Sequence, residues 1–365
     1  MLFRSVKPKY DRTCLRRSAP YPEGPYAIRF LSPDTGKTVV EDLIQCRVEF
    51  DNTELDDLII LRSDGFPTYN FSVVVDDATM EITHVIRGND HLNNTPRQIQ
   101  IYQAMGYPLP RFGHVSMILG PDKKKLSKRH GAQSVMEYQK MGYLPQAVVN
   151  YLVRLGWSHG DQEEFTLKEL IEKFSLEAVG KSAAAINPGK LDWLNGQYMK
   201  RTELDGLAEA VLPFLQAKGY LVDGPTGPER ELLKKAVQSL RERAKTLVEM
   251  ADLMEFYFRQ EIAYEEKASE KFLNQETLPV FQEILQALSE AEGLNKEECH
   301  RLIQGLAERR GEALVKVAQP LRVALTGRTV SPPMDEVMEA LGKEEVARRI
   351  QRAIEYIEER KKKSG

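Results

Sequence analysis

Cysteine is scarce in this sequence, and its scarcity argues against several kinds of site. The 365 residues contain only three cysteines, Cys14, Cys46 and Cys299, with no CxxC pair and no histidine spaced to complete a metal site. Disulfide frameworks and zinc knuckles both depend on suitably spaced cysteines. We therefore predict a chain without disulfides and without a zinc site, suited to a reducing cytoplasm.

Long apolar runs and an excess of basic charge are also missing. No stretch approaches the ~18 apolar residues that a membrane span requires, and the basic start MLFRSVKPKYDR is not followed by the apolar segment of a secretory signal. Lysine and arginine total 51 against 54 acidic residues, a formal net charge of -3, so the chain is not generally basic. The composition predicts an ordinary globular protein without a membrane partner.

The first part of the chain combines strand and helix patterns. A helix is predicted over 95–106, where Thr95 can cap, Pro96 occupies the first position and Gly106 ends it. A strand on each side of this helix predicts a right-handed parallel crossover. Ligands gather at the carboxyl ends of such strands, where the acidic pair 76–77, the segment 87–90 and a basic loop all fall. The predicted strands are 38–50, 57–61, 66–77, 82–90 and 112–119.

Helical patterns dominate the remainder of the chain. Capping boxes begin helices at SVME (134–137) and TLKE (166–169), and helical spacing also covers 144–156 and 187–196. From about residue 203 onward there is no convincing strand. We predict an α/β unit followed by an all-helical domain.

The basic loop KKKLSKRHG (123–131) is the strongest local signal. Lysines on both sides of a small hydroxyl residue, directly after a strand, suit a polyphosphate, because lysine ammonium groups can follow charge as it moves between phosphates. Taken alone, such a run is more often a solvated loop, so the flanking sequence has to decide.

Those flanks resemble a known family. KLSKR (125–129) resembles the KMSKS signature of class I aminoacyl-tRNA synthetases, and HVSMILGPDKKKLSKRHGA resembles bacterial glutamyl-tRNA synthetases. FDNTELDDLIILRSDGFPTYNFSVVVDD, THVIRGNDHLNNTPRQI, NYLVRLGWSHGDQEEFT and QPLRVALTGRTVSPP resemble further segments of that family in its usual order. The resemblance implies the second half of a Rossmann-like nucleotide-binding fold, then helical stem-contact and anticodon-binding domains.

The resemblance also implies an ATP site. Members of the glutamyl-tRNA synthetase family activate glutamate with ATP and Mg²⁺ and transfer the acyl group to the 3′ end of tRNA-Glu. Whether tRNA-Gln is charged as well is left open. Lys128 would contact the ATP phosphates with Lys125 and Ser127 assisting, in the signature that also includes Leu126 and Arg129. Met117 and Ile118 occupy positions whose backbone meets adenine, although from sequence alone two core strand residues are the simpler interpretation.

Glutamate selection requires a cation for the side-chain carboxylate. Arg87 is the candidate, since a guanidinium matches a carboxylate with two hydrogen bonds, and Tyr69 is the candidate hydroxyl donor. Asp90 keeps the second acid of the family's RGDDH or RGEDH stretch, whereas Asn89 replaces the first. His91 and His114 are expected to make structural hydrogen bonds.

The helical half supplies candidates for anticodon recognition. LRERAKTL (240–247) and QPLRVALTGR (319–328) match the family's anticodon-binding region. We assign base reading to Arg243 or Lys245, and add Arg322 and Arg328 as neighbours. Arginines on helix surfaces are common, so each residue taken alone is explained equally well as an ordinary surface residue.

The family's second ATP signature, resembling HIGH, is not present, because none of the six histidines begins one. The chain is therefore expected to be an N-terminally truncated glutamate–tRNA ligase without ATP–pyrophosphate exchange of its own. The alternatives are a catalytically inactive tRNA-binding fragment and an inert fragment of a broken gene. We expect a cytoplasmic monomer divided into an acceptor-binding remnant, half of the catalytic fold, a signature-loop and stem-contact region, and an anticodon domain, over 1–50, 51–120, 121–205 and 206–365.

Overall fold

The computed structural model describes residues 9–18, 20, 23–126, 134–221, 224–291 and 293–364, apart from the side chains of 363 and 364. These residues form two compact units that divide within one helix, between 149 and 150. The first unit contains the described residues up to 126 together with 150–187. The second contains 134–149 together with 188–364. None of the described helices is both long and apolar enough to cross a membrane.

All strands found in the described residues lie in the first unit. They are β1 (Ile28–Arg29), β2 (Lys37–Asp42), β3 (Cys46–Asp51), β4 (Ile59–Leu61), β5 (His84–Gly88), β6 (Arg111–Val115), β7 (Ile118–Leu119) and β8 (Ala184–Ala185).

The helices lie in both units. They are α1 (Tyr69–Thr79), α2 (Thr95–Met105), α3 (Val135–Lys140), α4 (Pro145–Arg154), α5 (Leu167–Lys173), α6 (Pro188–Arg201), α7 (Leu204–Ala217), α8 (Gly227–Leu240), α9 (Leu247–Leu253), α10 (Glu255–Phe258), α11 (Glu266–Phe272), α12 (Leu278–Glu290), α13 (Lys296–Arg310), α14 (Leu314–Thr326), α15 (Met334–Leu341) and α16 (Lys343–Ser364).

A mixed four-stranded sheet organises the first unit. Its strand order is β3-β2-β6-β5, so β5 lies at one edge. β2 and β3 form an antiparallel hairpin, and β6 runs parallel to both β2 and β5. The chain passes from β5 through α2 to β6, which confirms the predicted parallel crossover. Val40, Phe112, Val74 and Ile99 form the centre of the core between this sheet and its helices.

The prediction of a strand over 66–77 is wrong. These residues form α1, and Asp76 and Asp77 lie near its end rather than at the end of a strand. Three consecutive valines favour a strand locally. However, the apolar residues that pack into the core are Phe71, Val74 and Ala78, at helical spacing. Tertiary packing therefore overrides the local preference.

Several predicted boundaries shift. The single strand expected over 112–119 is two short strands, because β7 leaves the main sheet and pairs with β8 instead. Thr95 is the first residue of α2 and Asn94 precedes it as the cap, whereas Gly106 ends the helix in the left-handed region as expected. The Thr166 capping box is confirmed, but Ser134 accepts from the backbone N–H of Met136. α6 continues past Gly196 to Arg201.

The regular secondary structure of the second unit is all helical within its described residues, as predicted for the chain beyond 203. Its largest fully buried side chain is Arg349 in α16. The guanidinium donates to the carbonyl oxygens of Leu325 at 2.7 Å and Arg259 at 3.1 Å, and to the Glu345 carboxylate at 2.6 Å. A buried charge is tolerated only when it is paired and hydrogen-bonded, so this residue joins α16 to α14 and to the end of α10.

Candidate functional site

Arg87, at the carboxyl end of β5, is held by neutral acceptors. Its Nε donates to Nε2 of His114 at 3.2 Å, and one terminal nitrogen donates to Thr95 Oγ1 at 2.8 Å and to Gln98 Oε1 at 2.7 Å. β5 supplies the arginine, β6 the histidine and α2 the other two partners. The parallel crossover therefore assembles this set from segments that are distant in sequence.

The charge of Arg87 is not neutralised within the described part of the chain, where no carboxylate lies within ion-pair distance of it. Burial lowers its pKa, and Tyr69 and Asp77 oppose that effect, yet a guanidinium stays protonated in proteins. A half-buried cation with neutral partners is suited to accept an anionic ligand.

Tyr69 begins α1 beside this arginine. Its hydroxyl lies 3.5 Å from His91 Nδ1, and the two rings are 6.0 Å apart. Half of the tyrosine is exposed, 51%. An exposed ring with a hydroxyl next to a cation can form one wall of a small polar site.

Lys125 in the basic loop contacts Asp90, which follows β5. The lysine Nζ lies 3.3 Å from Asp90 Oδ2, and this contact lowers the pKa of the aspartate. Both side chains are largely exposed, so the pair adds little to stability. Its value is geometric: the structure brings together one candidate from each of two separate sequence motifs.

A tight turn presents the first lysines of the loop. Gly120 and Lys124 are joined by a backbone hydrogen bond of 2.8 Å, Lys123 adopts a left-handed conformation, and the Asp122 carboxylate accepts from the backbone of Lys124. Three further predicted residues, Ser127, Lys128 and Arg129, lie outside the described residues.

The two candidates for adenine contact lie just before this turn. Met117 is half-buried in the connection between β6 and β7, and Ile118 begins β7. The carbonyl oxygen of Ile118 accepts from the backbone N–H of Leu126 at 3.0 Å. The strand that would meet the base is thus joined directly to the loop that would meet the phosphates.

Two of the four candidates for anticodon contact lie close together in the helical unit. Burial, followed by the charge of Arg243, lowers the pKa of Arg322. Arg322 donates to the carbonyl oxygens of Ser331 at 3.1 Å and Pro332 at 2.9 Å, and no carboxylate among the described residues pairs with it. A guanidinium without an acid, within electrostatic reach of a second arginine, suits an anion or the edge of a base.

The other two candidates differ in their surroundings. The Arg328 guanidinium pairs with Glu255 at 2.5 Å, so its charge is compensated. The side chain of Lys245 is exposed. Its backbone N–H donates to Glu249, and its carbonyl oxygen accepts from Asn195.

Among the described residues there is no group of three or more His, Cys, Asp or Glu that could hold a metal ion.

Comparison with known proteins covers most of the chain. Residues 4–193 match the family of tRNA synthetases class I (E and Q), catalytic domain, and residues 206–354 match an anticodon binding domain. The glutamate–tRNA ligase 1 of Syntrophus aciditrophicus is 55% identical over 351 residues, which cover 96% of this chain and 73% of that relative. The chain belongs to the glutamate–tRNA ligase family.

Other members of this family agree. The glutamate–tRNA ligase of Geobacter sulfurreducens is 52% identical over 97% of this chain and 75% of its own length. A crystal structure of a glutamate tRNA ligase from Elizabethkingia meningosepticum, in complex with its amino acid, is 33% identical with a TM-score of 0.80 and covers 91% of this chain and 69% of that chain. The chain thus spans about three quarters of the length of these curated relatives. The predicted order of a class I catalytic domain and an anticodon domain is confirmed.

The sequence does not reveal the partners of Arg87. Thr95 is predicted only as a helix cap, and nothing in the sequence singles out Gln98 or the Asp42 that holds His114. All three are buried polar residues, and buried polar groups need partners, but this burial becomes visible only in the fold.

Proposed function

We propose that this chain acts in the attachment of glutamate to the 3′ end of tRNA-Glu, with glutamyl-adenylate as the intermediate and ATP entering as its Mg²⁺ complex. The observation that carries the proposal is Arg87, a half-buried guanidinium without a carboxylate partner among the described residues. It would bind the side-chain carboxylate of glutamate, with Tyr69 at its side. We further propose that the chain works in the cytoplasm as a monomer.

The basic loop has the second role in this proposal. Lys128, with Lys125 and Ser127, would neutralise charge that builds up on the ATP phosphates while the glutamate carboxylate attacks the α-phosphorus. Leu126 and Arg129 complete the signature, and the backbone at Met117 and Ile118 would meet the adenine. The contact between Lys125 and Asp90 supports this arrangement, because it brings the third residue of the loop to the segment that follows β5.

Lys128→Ala should slow adenylate formation far more than it weakens glutamate binding. Removal of a cation that meets charge mainly in the transition state raises the barrier by about 2–4 kcal/mol. The measurement is glutamate-dependent ATP–pyrophosphate exchange in a full-length ligase that contains this sequence. Lys168→Ala, an exposed lysine in α5, is the matched control. Exchange within a few-fold of wild type would remove Lys128 from the ATP site.

Recognition of the tRNA is assigned to the helical unit. Arg243 and Arg322 would contact unpaired anticodon bases, where edge hydrogen bonds and stacking give specificity and phosphate contacts add salt-sensitive affinity. Lys245 and Arg328 would lie at the border of this surface. This part of the proposal holds whether or not the chain activates glutamate, so it also covers the alternative of a catalytically inactive tRNA-binding protein.

Arg322→Gln and Arg243→Gln should each weaken binding of tRNA-Glu by about tenfold or more, while binding of an unrelated tRNA changes little. The whole chain is titrated with tRNA-Glu, with an anticodon-mutated version and with an unrelated tRNA, at two salt concentrations. Arg309→Gln removes the same charge from an exposed position on α13 and serves as the control. Equal affinity of the wild-type chain for all three RNAs at both salts would leave only nonspecific attraction.

A further inference from the structure

A buried carboxylate and a buried imidazole lie directly behind Arg87. Asp42, at the end of β2, and His114, in β6, are both fully buried, and Oδ2 of the aspartate is 2.5 Å from Nδ1 of the histidine. The other oxygen, Oδ1, accepts backbone N–H groups from Ile44, Gln45 and His114 at 2.9, 2.7 and 3.1 Å. The carboxylate is therefore fixed as an acceptor on both of its oxygens.

This arrangement determines where the imidazole proton lies. An ionised carboxylate only accepts hydrogen bonds, so Nδ1 of His114 must carry the proton. Burial alone would raise the pKa of Asp42, but its hydrogen bonds from His114 and the backbone outweigh that effect and lower it. Nε2 of the neutral ring then carries a lone pair, which faces the Nε–H of Arg87 at 3.2 Å and the Thr95 hydroxyl at 3.0 Å.

The neutral state of His114 is favoured by its surroundings. The titratable and charged groups that face it are Asp42 from β2, Arg87 from β5 and His91 from the turn before α2. Burial lowers the pKa of His114, and Asp42 acts against this effect. A second proton on Nε2 would oppose the Nε–H and the positive charge of Arg87, so the ring stays uncharged near neutral pH.

We propose that Asp42 and His114 are positioning residues for glutamate recognition, which orient Arg87 by fixing the imidazole tautomer that accepts its Nε–H. The contacts to His114, Thr95 and Gln98 use three of the five guanidinium N–H groups. The two on the remaining nitrogen are left for the Tyr69 hydroxyl and a substrate carboxylate. The role in glutamate recognition rests on the proposed glutamate site, whereas the assignment of the His114 tautomer is independent of it.

Asp42→Asn tests the inference with a change of one atom. The amide oxygen can keep the three backbone contacts of Oδ1, which places the amide nitrogen opposite Nδ1 of His114. Because that nitrogen is a donor, the ring must move its proton to Nε2. There the Thr95 hydroxyl can accept it, but the Nε–H of Arg87 loses its acceptor. We expect nitrogen NMR of the whole chain to report the Nδ1–H tautomer in the wild type and the Nε2–H tautomer in the variant. His114→Gln identifies the signal.

Glutamate binding is then measured by calorimetry on the same proteins. We expect Asp42→Asn to raise the Kd for glutamate at least about tenfold, as for loss of a hydrogen bond to a charged group. Asp57→Asn is the control, since Asp57 is also buried and hydrogen-bonded, to Arg12 and the backbone of Ser32, but has no contact with this set. It should destabilise the fold without changing the His114 tautomer or the Kd.

The two parts of the experiment fail separately. A wild-type His114 that is protonated or carries its proton on Nε2 overturns the inference, and this measurement needs no variant to fold. An Asp42→Asn protein that has the altered tautomer but the wild-type Kd overturns the positioning role. A wild-type chain that binds no glutamate overturns the proposed glutamate site instead, and the tautomer alone then decides whether Asp42 and His114 orient the arginine.

Discussion

Replacing Arg87 by glutamine is expected to weaken glutamate binding by about 30-fold to several thousand-fold. Loss of one partner of a buried, hydrogen-bonded charge pair costs about 2–5 kcal/mol, mostly because the other charge is left without a partner. Arg87→Lys keeps the charge but lacks the planar fork that makes two parallel hydrogen bonds, so it should recover only part of the affinity. Calorimetric titration of the whole chain with glutamate measures both.

The control for this prediction is Arg62→Gln in the same unit. Arg62 is exposed and paired with Asp64, so its loss changes the net charge equally but should leave the Kd unchanged. Aspartate, one methylene shorter than glutamate, is the control ligand and should bind weakly to every variant. A Kd for Arg87→Gln within threefold of wild type would remove this residue from the glutamate site.

Replacing Gly327 by alanine should lower the free energy of unfolding of the helical unit by about 3–5 kcal/mol. Gly327 ends α14 with a φ of 76°, a region in which a residue with a Cβ atom is disfavoured by about 1–2 kcal/mol. The new methyl group would also lie inside the contact distance of the Ala263 carbonyl oxygen. The backbone at Ala263 cannot easily move away, because Glu265, two residues on, donates its N–H to the Gly327 carbonyl oxygen at 2.9 Å.

Gly311 provides a matched control for Gly327. It ends α13 with a φ of 61°, and no atom lies within 4 Å of the position that a Cβ would take. Gly311→Ala therefore carries only the conformational cost of about 1–2 kcal/mol. The two variants are compared by urea denaturation, monitored through the far-ultraviolet circular dichroism of the helices. Equal losses of stability would mean that the approach of the Ala263 backbone contributes nothing.

Motifs and caps in the sequence predicted the fold well, and two of them contain residues that the structure brings into contact. The crossover from β5 through α2 to β6 followed from strand, helix and strand patterns around Pro96 and Gly106, and it places Arg87 at a strand end. The contact between Lys125 and Asp90 agrees with the two motifs that contain them. Local signals of this kind are reliable because they depend on neighbouring residues.

The remainder depended on contacts between distant segments. Asp42 and His114 are 72 residues apart in sequence, and neither belongs to a pattern that indicates the other. The valines at 73–75 favoured a strand, yet only Val74 is fully buried and the helix is set by the layer that packs on it. Burial is the property that a single sequence reveals least directly.

The buried Arg349 has a consequence for synthesis of the protein on the ribosome. Of the described helices, α16 is translated last, and until it emerges the carbonyl oxygens of Leu325 and Arg259 lack the guanidinium that they hold in the finished structure. The helices from α8 to α15 can form earlier but cannot close their core. This unit must therefore complete its folding after the segment around residue 349 has left the ribosome, and a nascent chain stalled before that point would remain open to chaperones and proteases.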